Sequence, residues 1–187
     1  MDVLTLTSSQ SQWPRQLDER LQKSAPSRLW LLGSPEILGM RKIGLFCSVS
    51  CPANTVAGAY EAARKLCKDE AAIVSGFHSP VEKECLQILL QGNQSVVVCL
   101  ARALGKIRLP GEWQPALDEG RLLLLSRFEK SRRADKETAR RRNEIVAALS
   151  DEVLIVHAEP GGHIAEISQL VDRWGIPRRK LHSVRQN

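Results

Sequence analysis

Small polar residues and glycines follow three apolar segments of the sequence, at positions where a chain can bind an anion. Each segment is predicted to be a buried strand, and the residues at or just after the strand ends are Ser48, Ser75, Gly76, Gly161 and Gly162. Because the carboxyl ends of parallel strands lie along one edge of a sheet, we expect these turns to be neighbours. Backbone amide groups in such turns, and at the N-termini of the following helices, attract phosphate groups. The alternative is that these residues only form tight strand-to-helix turns.

A basic segment at residues 127–142, with the sequence RFEKSRRADKETARRR, is a second candidate for binding a polyanion. It carries eight basic and three acidic side chains, and basic side chains neutralise nucleic-acid phosphates without reading the base sequence. Residues 140–142 are consecutive arginines that span about 200° of a predicted helix, so they cannot all face one surface. Of these three, we expect Arg142 to face the cleft that the turns after the strands form. The predicted phosphate contacts in this region are Arg132, Arg133, Lys136, Arg140, Arg142 and Asn143. A solvated, charged helix face is the alternative interpretation.

The elements that must position these residues alternate between strands and helices. Apolar runs predict strands at 29–32, 42–47, 71–75, 95–100, 122–125 and 153–157, and helices are predicted near 54–68, 80–91, 135–149 and 163–174. We expect Asn54 to cap the first of these helices, and Ser79-Pro80-Val81-Glu82 predicts a capping box at the start of the second. Continuous apolar strands, rather than alternating ones, favour a sheet that helices cover on both faces. We therefore predict an α/β fold, a three-layer Rossmann-like arrangement with a mostly parallel sheet. Residues 1–25 are predicted to form an N-terminal helical extension, and 26–187 the main domain.

The composition narrows the possible partners and compartments. The 187 residues carry a net charge of +6 and have a pI near 9.3, which favours a polyanionic partner.

No apolar run approaches the roughly 18 residues of a membrane span, so we expect no such span. The sequence does not open with a basic region followed by an apolar run, so we expect no secretory signal. The five cysteines lack the spacing of a zinc site, and we interpret them as reduced thiols of a cytoplasmic protein. No metal or other cofactor is expected.

The order of the motifs resembles the DprA/Smf family of DNA-processing proteins, part of a Rossmann-like group that includes the LOG-type nucleotide-binding proteins. The most specific block is RNEIVAALSD at 142–151. The other matching blocks are LWLLG at 29–33 with EIL at 36–38, GLFCS at 44–48, IVSGF at 73–77, SVVVC at 95–99, and Phe128. The resemblance covers roughly residues 26–170 and implies the fold and a pocket that favours phosphate.

Several positions depart from the family pattern. The family's Gly-Ser-Arg is Cys47-Ser48-Val49 here, so the arginine is missing. The family's Gly-Ile-Asp is replaced within HSPVE at 78–82, and Glu144 replaces the second arginine of the Arg-Asn-Arg block.

The resemblance implies a protein that binds single-stranded DNA through a basic cleft during DNA uptake or recombination. A recombination protein and a second copy of the chain are the implied partners. The alternative is a small nucleotide in the same cleft, bound by a sensor or by a nucleotide hydrolase of the LOG-like group. The hydrolase motif Pro-Gly-Gly-x-Gly-Thr-x-x-Glu is incomplete, because Ile164 and Ala165 replace Gly-Thr and Ser168 stands in place of the glutamate. Binding is therefore expected rather than turnover, with no catalytic residue.

The aromatic content is only 4%, which favours contact with the nucleic-acid backbone over stacking on the bases. The candidates for base stacking are Phe77, Trp113 and Phe128.

Overall fold

A computed structural model describes residues 2–105, 107–130 and 133–181. Seven strands within these residues form one sheet in the order β1-β2-β6-β5-β4-β3-β7. The strands are β1 Leu4–Thr7, β2 Arg28–Gly33, β3 Lys42–Cys47, β4 Ala72–Ser75, β5 Val96–Leu100, β6 Leu122–Ser126 and β7 Glu152–His157. The five strands from β6 to β7 are parallel, whereas β2 pairs antiparallel with both β1 and β6. The predicted mostly parallel sheet is confirmed.

Helices cover both faces of the sheet. They are α1 Gln16–Leu21, α2 Ala53–Leu66, α3 Pro80–Gln91, α4 Gln114–Asp118, α5 Lys136–Leu149 and α6 His163–Arg173, with short 3-10 turns at Gln22–Ser24, Pro35–Gly39 and Gly111–Trp113. The first face packs α1, α5 and α6, and the second packs α2, α3 and α4. Buried side chains on the first face include Leu17, Val146 and Ile167, and those on the second include Ala63, Leu86 and Ala116. The predicted three-layer Rossmann-like architecture is therefore confirmed.

Strand β6 shows why the central strands are apolar at every position. Leu123 and Leu125 pack into the core on one face, and Leu122 and Leu124 pack into the core on the other. Side chains alternate between the faces of a strand, so a strand covered on both sides needs apolar residues throughout. Burial of each leucine contributes about 1.5–3 kcal/mol.

The N-terminal segment packs onto the sheet. Helix α1 lies within the predicted helical extension, whereas β1, which pairs with β2, was not predicted. Leu17 is fully buried against α5, and Arg20 donates from Nη1 to the carbonyl oxygens of Ala148 and Ser150 at 2.8 and 2.7 Å. These bonds satisfy carbonyl groups at the C-terminal end of α5. The division of the chain at residue 25 stays a prediction.

The sequence predicted the N-terminal caps of two helices, and the structure confirms one of these predictions. The predicted capping box at α3 is confirmed, since Ser79 and Glu82 each accept the backbone amide of the other. Asn54 was expected to cap α2, and this prediction is wrong. The helix already begins at Ala53 and its N-cap is Pro52, which has no side-chain acceptor. No helix of the described ranges is both long and apolar enough to cross a membrane.

Candidate anion-binding site

A pocket of about 340 Å³ lies beside the carboxyl ends of β3 and β7. Its walls are the turn after β3, the loop between β7 and α6, the start of α3 and one side of α5. Four of the predicted site residues line it: Ser48, Arg142, Asn143 and Gly162. We call this space the strand-end pocket.

The sheet order explains why these residues meet. Strand β3 lies between β4 and β7 and is parallel to both, so the turns after all three strands are on one edge. The expected adjacency of Ser48, Gly76 and Gly162 is therefore confirmed. Ser75, Gly76 and Gly161 are at this edge but do not themselves line the pocket. Gly161 is exposed and has a φ of +70°, a conformation that favours glycine in the turn.

Arg142 is the buried cation of the strand-end pocket. Only 6% of its surface is exposed, and its Nη1 donates to the carbonyl oxygen of Gly76 at 3.2 Å. Burial lowers the pKa of Arg142, while the nearby charge of Glu82 raises it; an arginine nonetheless stays protonated in a folded protein. Its Nε has no hydrogen-bond partner, and within the described parts of the chain no carboxylate forms an ion pair with it. The pocket therefore holds a positive charge that no directly bonded carboxylate neutralises.

Glu82 is a buried carboxylate that already accepts three backbone amides at this edge. One oxygen accepts from Cys47 at 2.9 Å, and the other accepts from His78 and Ser79 at 2.8 and 3.0 Å. The side chain is 6% exposed and joins the end of β3 to the start of α3. These amides are consequently not available to a ligand. The sequence showed Glu82 only as part of a capping box, and nothing in it indicated the bond to Cys47, which lies 35 positions away.

Ser48 and Ser75 hold the neighbouring turns in place by accepting backbone amides, as Glu82 does. Ser48 Oγ accepts from the amide of Glu159 at 2.9 Å, and Ser75 Oγ accepts from the amide of Phe77 at 3.2 Å. Gly162 donates its own amide to the carbonyl of Glu159 at 2.9 Å. Most amides that the sequence suggested for anion binding thus donate within the chain. Ala165, in the first turn of α6, likewise donates to the carbonyl of Gly162 at 3.0 Å. The amides of His163 and Ile164 differ, because Gly162 is the N-cap of that helix and has no side chain to accept from them.

His163 lines the strand-end pocket as the first residue of α6. Its Nδ1 lies 3.1 Å from a carboxylate oxygen of Glu166, and its Nε2 is buried with no hydrogen-bond partner among the described residues. Because a carboxylate can only accept, Nδ1 carries the hydrogen of this bond. Nε2 is then an acceptor when the ring is neutral and a donor when the ring is protonated.

The consecutive arginines diverge, as their helical spacing predicts. Arg142 faces the pocket, whereas Arg140 is half-exposed and pairs with Glu137 and Glu144 at 3.5 and 3.4 Å. Arg141 pairs with Glu137 at 2.7 Å on the outer face. Lys136 opens α5 and is exposed, as is Arg133. Arg132 lies outside the described residues.

Aromatic surface at this edge is limited. Phe77, one of the three predicted stacking residues, is 5% exposed and belongs to the core. Trp113 and Phe128 are partly buried, and neither lines the pocket.

A larger depression of about 930 Å³ lies at the opposite end of β3. Its buried cation is Lys42, whose ammonium group donates to the carbonyls of Leu38 and Met40 and is 3.9 Å from Asp151. These partners already satisfy the charge. The strand-end pocket is therefore the better candidate for binding an anion.

A family model for DNA recombination-mediator protein A matches residues 4–168. The chain belongs to this family. The match confirms the DprA-like resemblance found in the sequence. No curated protein matches the chain.

Two solved structures of DNA processing protein A have the same fold. The protein from Streptococcus pneumoniae aligns with a TM-score of 0.79 and 18% identity over 95% of this chain, which spans 62% of the length of that protein. The protein from Helicobacter pylori, which was solved for its single-stranded DNA binding mode, aligns with a TM-score of 0.76 and 22% identity. That alignment covers 98% of this chain and 84% of the Helicobacter chain. At identities of 18% and 22%, the likeness to these two structures shows the fold alone.

Proposed function

We propose that the chain binds single-stranded DNA through the strand-end pocket and the adjoining basic face of α5, in DNA uptake or recombination. The observation that carries this proposal is the buried guanidinium of Arg142, which has one hydrogen bond and no ion pair among the described residues. Burying a guanidinium that no carboxylate bonds directly is costly, and a phosphate is the kind of group that offsets this cost.

The size of the pocket favours a single strand over a duplex. A volume of about 340 Å³ is near the lower end of ligand pockets, which are about 300–1,000 Å³, and suits one nucleotide of a flexible chain. Lys136, Arg133 and Arg140 are exposed outside it and are proposed to contact neighbouring phosphates, Arg140 in exchange for its ion pairs with Glu137 and Glu144. Arg132 is proposed for the same role on the basis of sequence alone.

The recognition would be independent of base sequence. The pocket lining contains no Phe, Tyr or Trp among the described residues, so base stacking contributes little there. The Helicobacter protein is described as binding single-stranded DNA, which supports the same ligand for this chain. Self-association, contact with a recombination protein and a cytoplasmic location stay predictions that come from the resemblance and composition.

The test is fluorescence anisotropy with a labelled oligothymidylate at low salt. Arg142→Met should weaken binding by about 10–100-fold, since a hydrogen bond to a charged group is worth roughly 1.5–3 kcal/mol. The matched control is Arg64→Met, which removes the same charge from the exposed last turn of α2. If both variants bind as tightly as the natural chain, or if the natural chain shows no binding at low salt, the proposal is wrong.

A small nucleotide in the same pocket is the second candidate, favoured by the small volume. Turnover is not expected, because Glu82 is held by three amides and would not be free to act on a glycosidic bond. Mass spectrometry of ligand released from the purified protein separates the two functions. A recovered nucleotide that competes with the oligonucleotide would favour this candidate.

A further inference from the structure

Asn143 is a buried polar residue of the strand-end pocket whose side-chain amide is unused. Only 8% of its surface is exposed, and it lines the pocket beside Arg142. Neither its side-chain oxygen nor its side-chain nitrogen forms a hydrogen bond with a described residue, and both atoms keep some contact with solvent. A largely buried amide costs free energy unless it is hydrogen-bonded. The side chain is therefore placed to bind a group that enters the pocket.

Further hydrogen-bond donors line the same pocket without an acceptor. In Arg142, Nη1 donates to Gly76 and Nε is enclosed, whereas Nη2 is neither bonded to a described residue nor enclosed. Ser48 and Ser79 each accept a backbone amide, and neither hydroxyl donates its own hydrogen to a described residue. The backbone amides of His163 and Ile164 at the start of α6 are also free. The pocket thus presents donors from several elements that a single ligand could satisfy.

The carboxylates around the pocket are held by other donors. Glu82 accepts three backbone amides. A carboxylate oxygen of Glu159 lies 3.3 Å from Nε2 of His157, and one of Glu166 lies 3.1 Å from Nδ1 of His163. Consequently, none of these carboxylates occupies the free donors of the pocket.

We propose that the strand-end pocket holds a phosphate monoester, namely the terminal phosphate at one end of a DNA strand. The inference rests on the proposed function, because it takes the ligand to be DNA. A terminal phosphate has three acceptor oxygens and a charge of about −1.5 to −2 near pH 7. An internal phosphate is esterified on both sides, so it has one acceptor oxygen fewer and only about one negative charge.

The terminal phosphate is the better match for the groups that line the pocket. Its additional oxygen accepts from Nδ2 of Asn143, while the other oxygens accept from Arg142 and from the amides at the start of α6. Charge-assisted hydrogen bonds of this kind are stronger than neutral ones, and the N-terminal end of a helix adds a partial charge of roughly +0.5. The strand then leaves the pocket past Lys136, at the exposed start of α5.

The test compares three forms of one oligothymidylate, which carry a phosphate at the 5′ end, at the 3′ end or at neither end. An internal fluorophore leaves both ends free, and fluorescence anisotropy at low salt gives the dissociation constants for the full chain. At least one phosphorylated form should bind about 10–100-fold more tightly than the unphosphorylated form, because it gains hydrogen bonds to a charged group. The form with this advantage identifies the end that enters the pocket. Equal affinity of the three forms overturns the inference.

Asn143→Asp tests the assigned contact. The variant keeps the shape of the side chain but directs a carboxylate at the phosphate, and the repulsion grows with the charge on the phosphate. The phosphorylated form should therefore lose its advantage. The matched control is Asn93→Asp, which adds the same charge at an exposed position in the turn before β5, at the amino end of the strands, and should keep the advantage. If Asn143→Asp also keeps it, the inference is wrong.

Circular dichroism checks that both variants are folded. The comparison of the three oligonucleotides on the natural chain decides the inference even if Asn143→Asp does not fold.

Inorganic phosphate separates this inference from the proposed function. Isothermal titration calorimetry should detect binding of phosphate to the natural chain and weaker binding to Asn143→Asp. If phosphate binds in this way but no oligonucleotide binds in any form, the proposed function fails, and the pocket is a site for a small phosphate monoester. If all three oligonucleotides bind equally and Arg142→Met weakens them all, the proposed function stands while the preference for a terminal phosphate fails.

Discussion

The guanidinium of Arg142 packs against the backbone of Gly76 and donates to its carbonyl oxygen at 3.2 Å. A Cβ atom at Gly76 would overlap the Nη1, Cζ and Nε atoms of Arg142. Gly76 does not have a positive φ, so its backbone is open to any residue. A side chain at position 76 would therefore have to displace this buried guanidinium, and the turn after β4 and helix α5 are joined at this contact.

Gly76→Ala should destabilise the fold by about 1–3 kcal/mol, because overpacking forces the guanidinium or the turn to move. Urea unfolding measures the effect. The matched control is Gly39→Ala, since nothing lies within 4 Å of a Cβ added there, and its stability should change by less than about 0.5 kcal/mol. Combining Gly76→Ala with Arg142→Ala should recover part of the loss, because the two residues are in contact. Equal stability of Gly76→Ala and Gly39→Ala would contradict the assigned contact.

Glu82→Gln should destabilise the chain although it changes only one heavy atom. The two carboxylate oxygens of Glu82 accept from Cys47, His78 and Ser79, whereas the glutamine amide nitrogen cannot accept. At least one buried amide then loses its partner, at a cost of about 1–3 kcal/mol. Thermal or urea unfolding measures this cost, and Glu84→Gln, at an exposed position on the same helix, is the control. A Glu82→Gln variant as stable as the control would show that the carboxylate is dispensable.

Much of the fold could be predicted because its signals are local. The apolar strands β3 to β7 and the capping box at Ser79 are visible in short windows of sequence. Strand β1 was missed because it has four residues, LTLT, of which only Leu6 is buried. Its pairing with β2 decides its structure, and a single sequence does not display that pairing.

The candidate site could be predicted only in part, for a physical reason. Strand order on one sheet edge follows from the fold class, and it brings Ser48, Arg142 and Gly162 to one pocket. The hydrogen-bond partners of the amides there depend on side chains distant in sequence, above all Glu82. The sequence therefore predicted where the pocket lies. The turns suggested that free backbone amides would bind an anion there, whereas in the structure the guanidinium of Arg142 contributes more to the lining and free amides contribute less.

Asp69→Asn should lower stability at neutral pH and have little effect in acid. Burial raises the pKa of Asp69, but hydrogen bonds from Arg179 and the Ala71 amide and the charges of Arg179 and Arg41 outweigh it, so the pKa is lowered overall. A carboxyl group with a lowered folded pKa stabilises the fold above its unfolded pKa, near 3.9, and this contribution is lost as pH falls through the folded value.

Urea unfolding of the natural chain and Asp69→Asn at pH 7 and pH 3 checks the sign. We expect a difference of about 0.5–1 kcal/mol at pH 7, typical of a partly exposed charge network, and a smaller one at pH 3. Asp118→Asn, at an exposed position, should show neither effect. A difference that grows in acid would mean that the assigned direction of the pKa shift is wrong.

Lys136 provides a test of how far DNA extends beyond the pocket. It is exposed at the first position of α5, on the same helix as Arg142. Lys136→Gln should weaken oligothymidylate binding at low salt and reduce the slope of log affinity against log salt by about 0.7, the value for one phosphate contact on a single strand. The control is Lys68→Gln, which removes an exposed charge just before β4, at the amino end of the strands. An unchanged slope for Lys136→Gln, or an equal change for Lys68→Gln, would place the strand elsewhere on the surface.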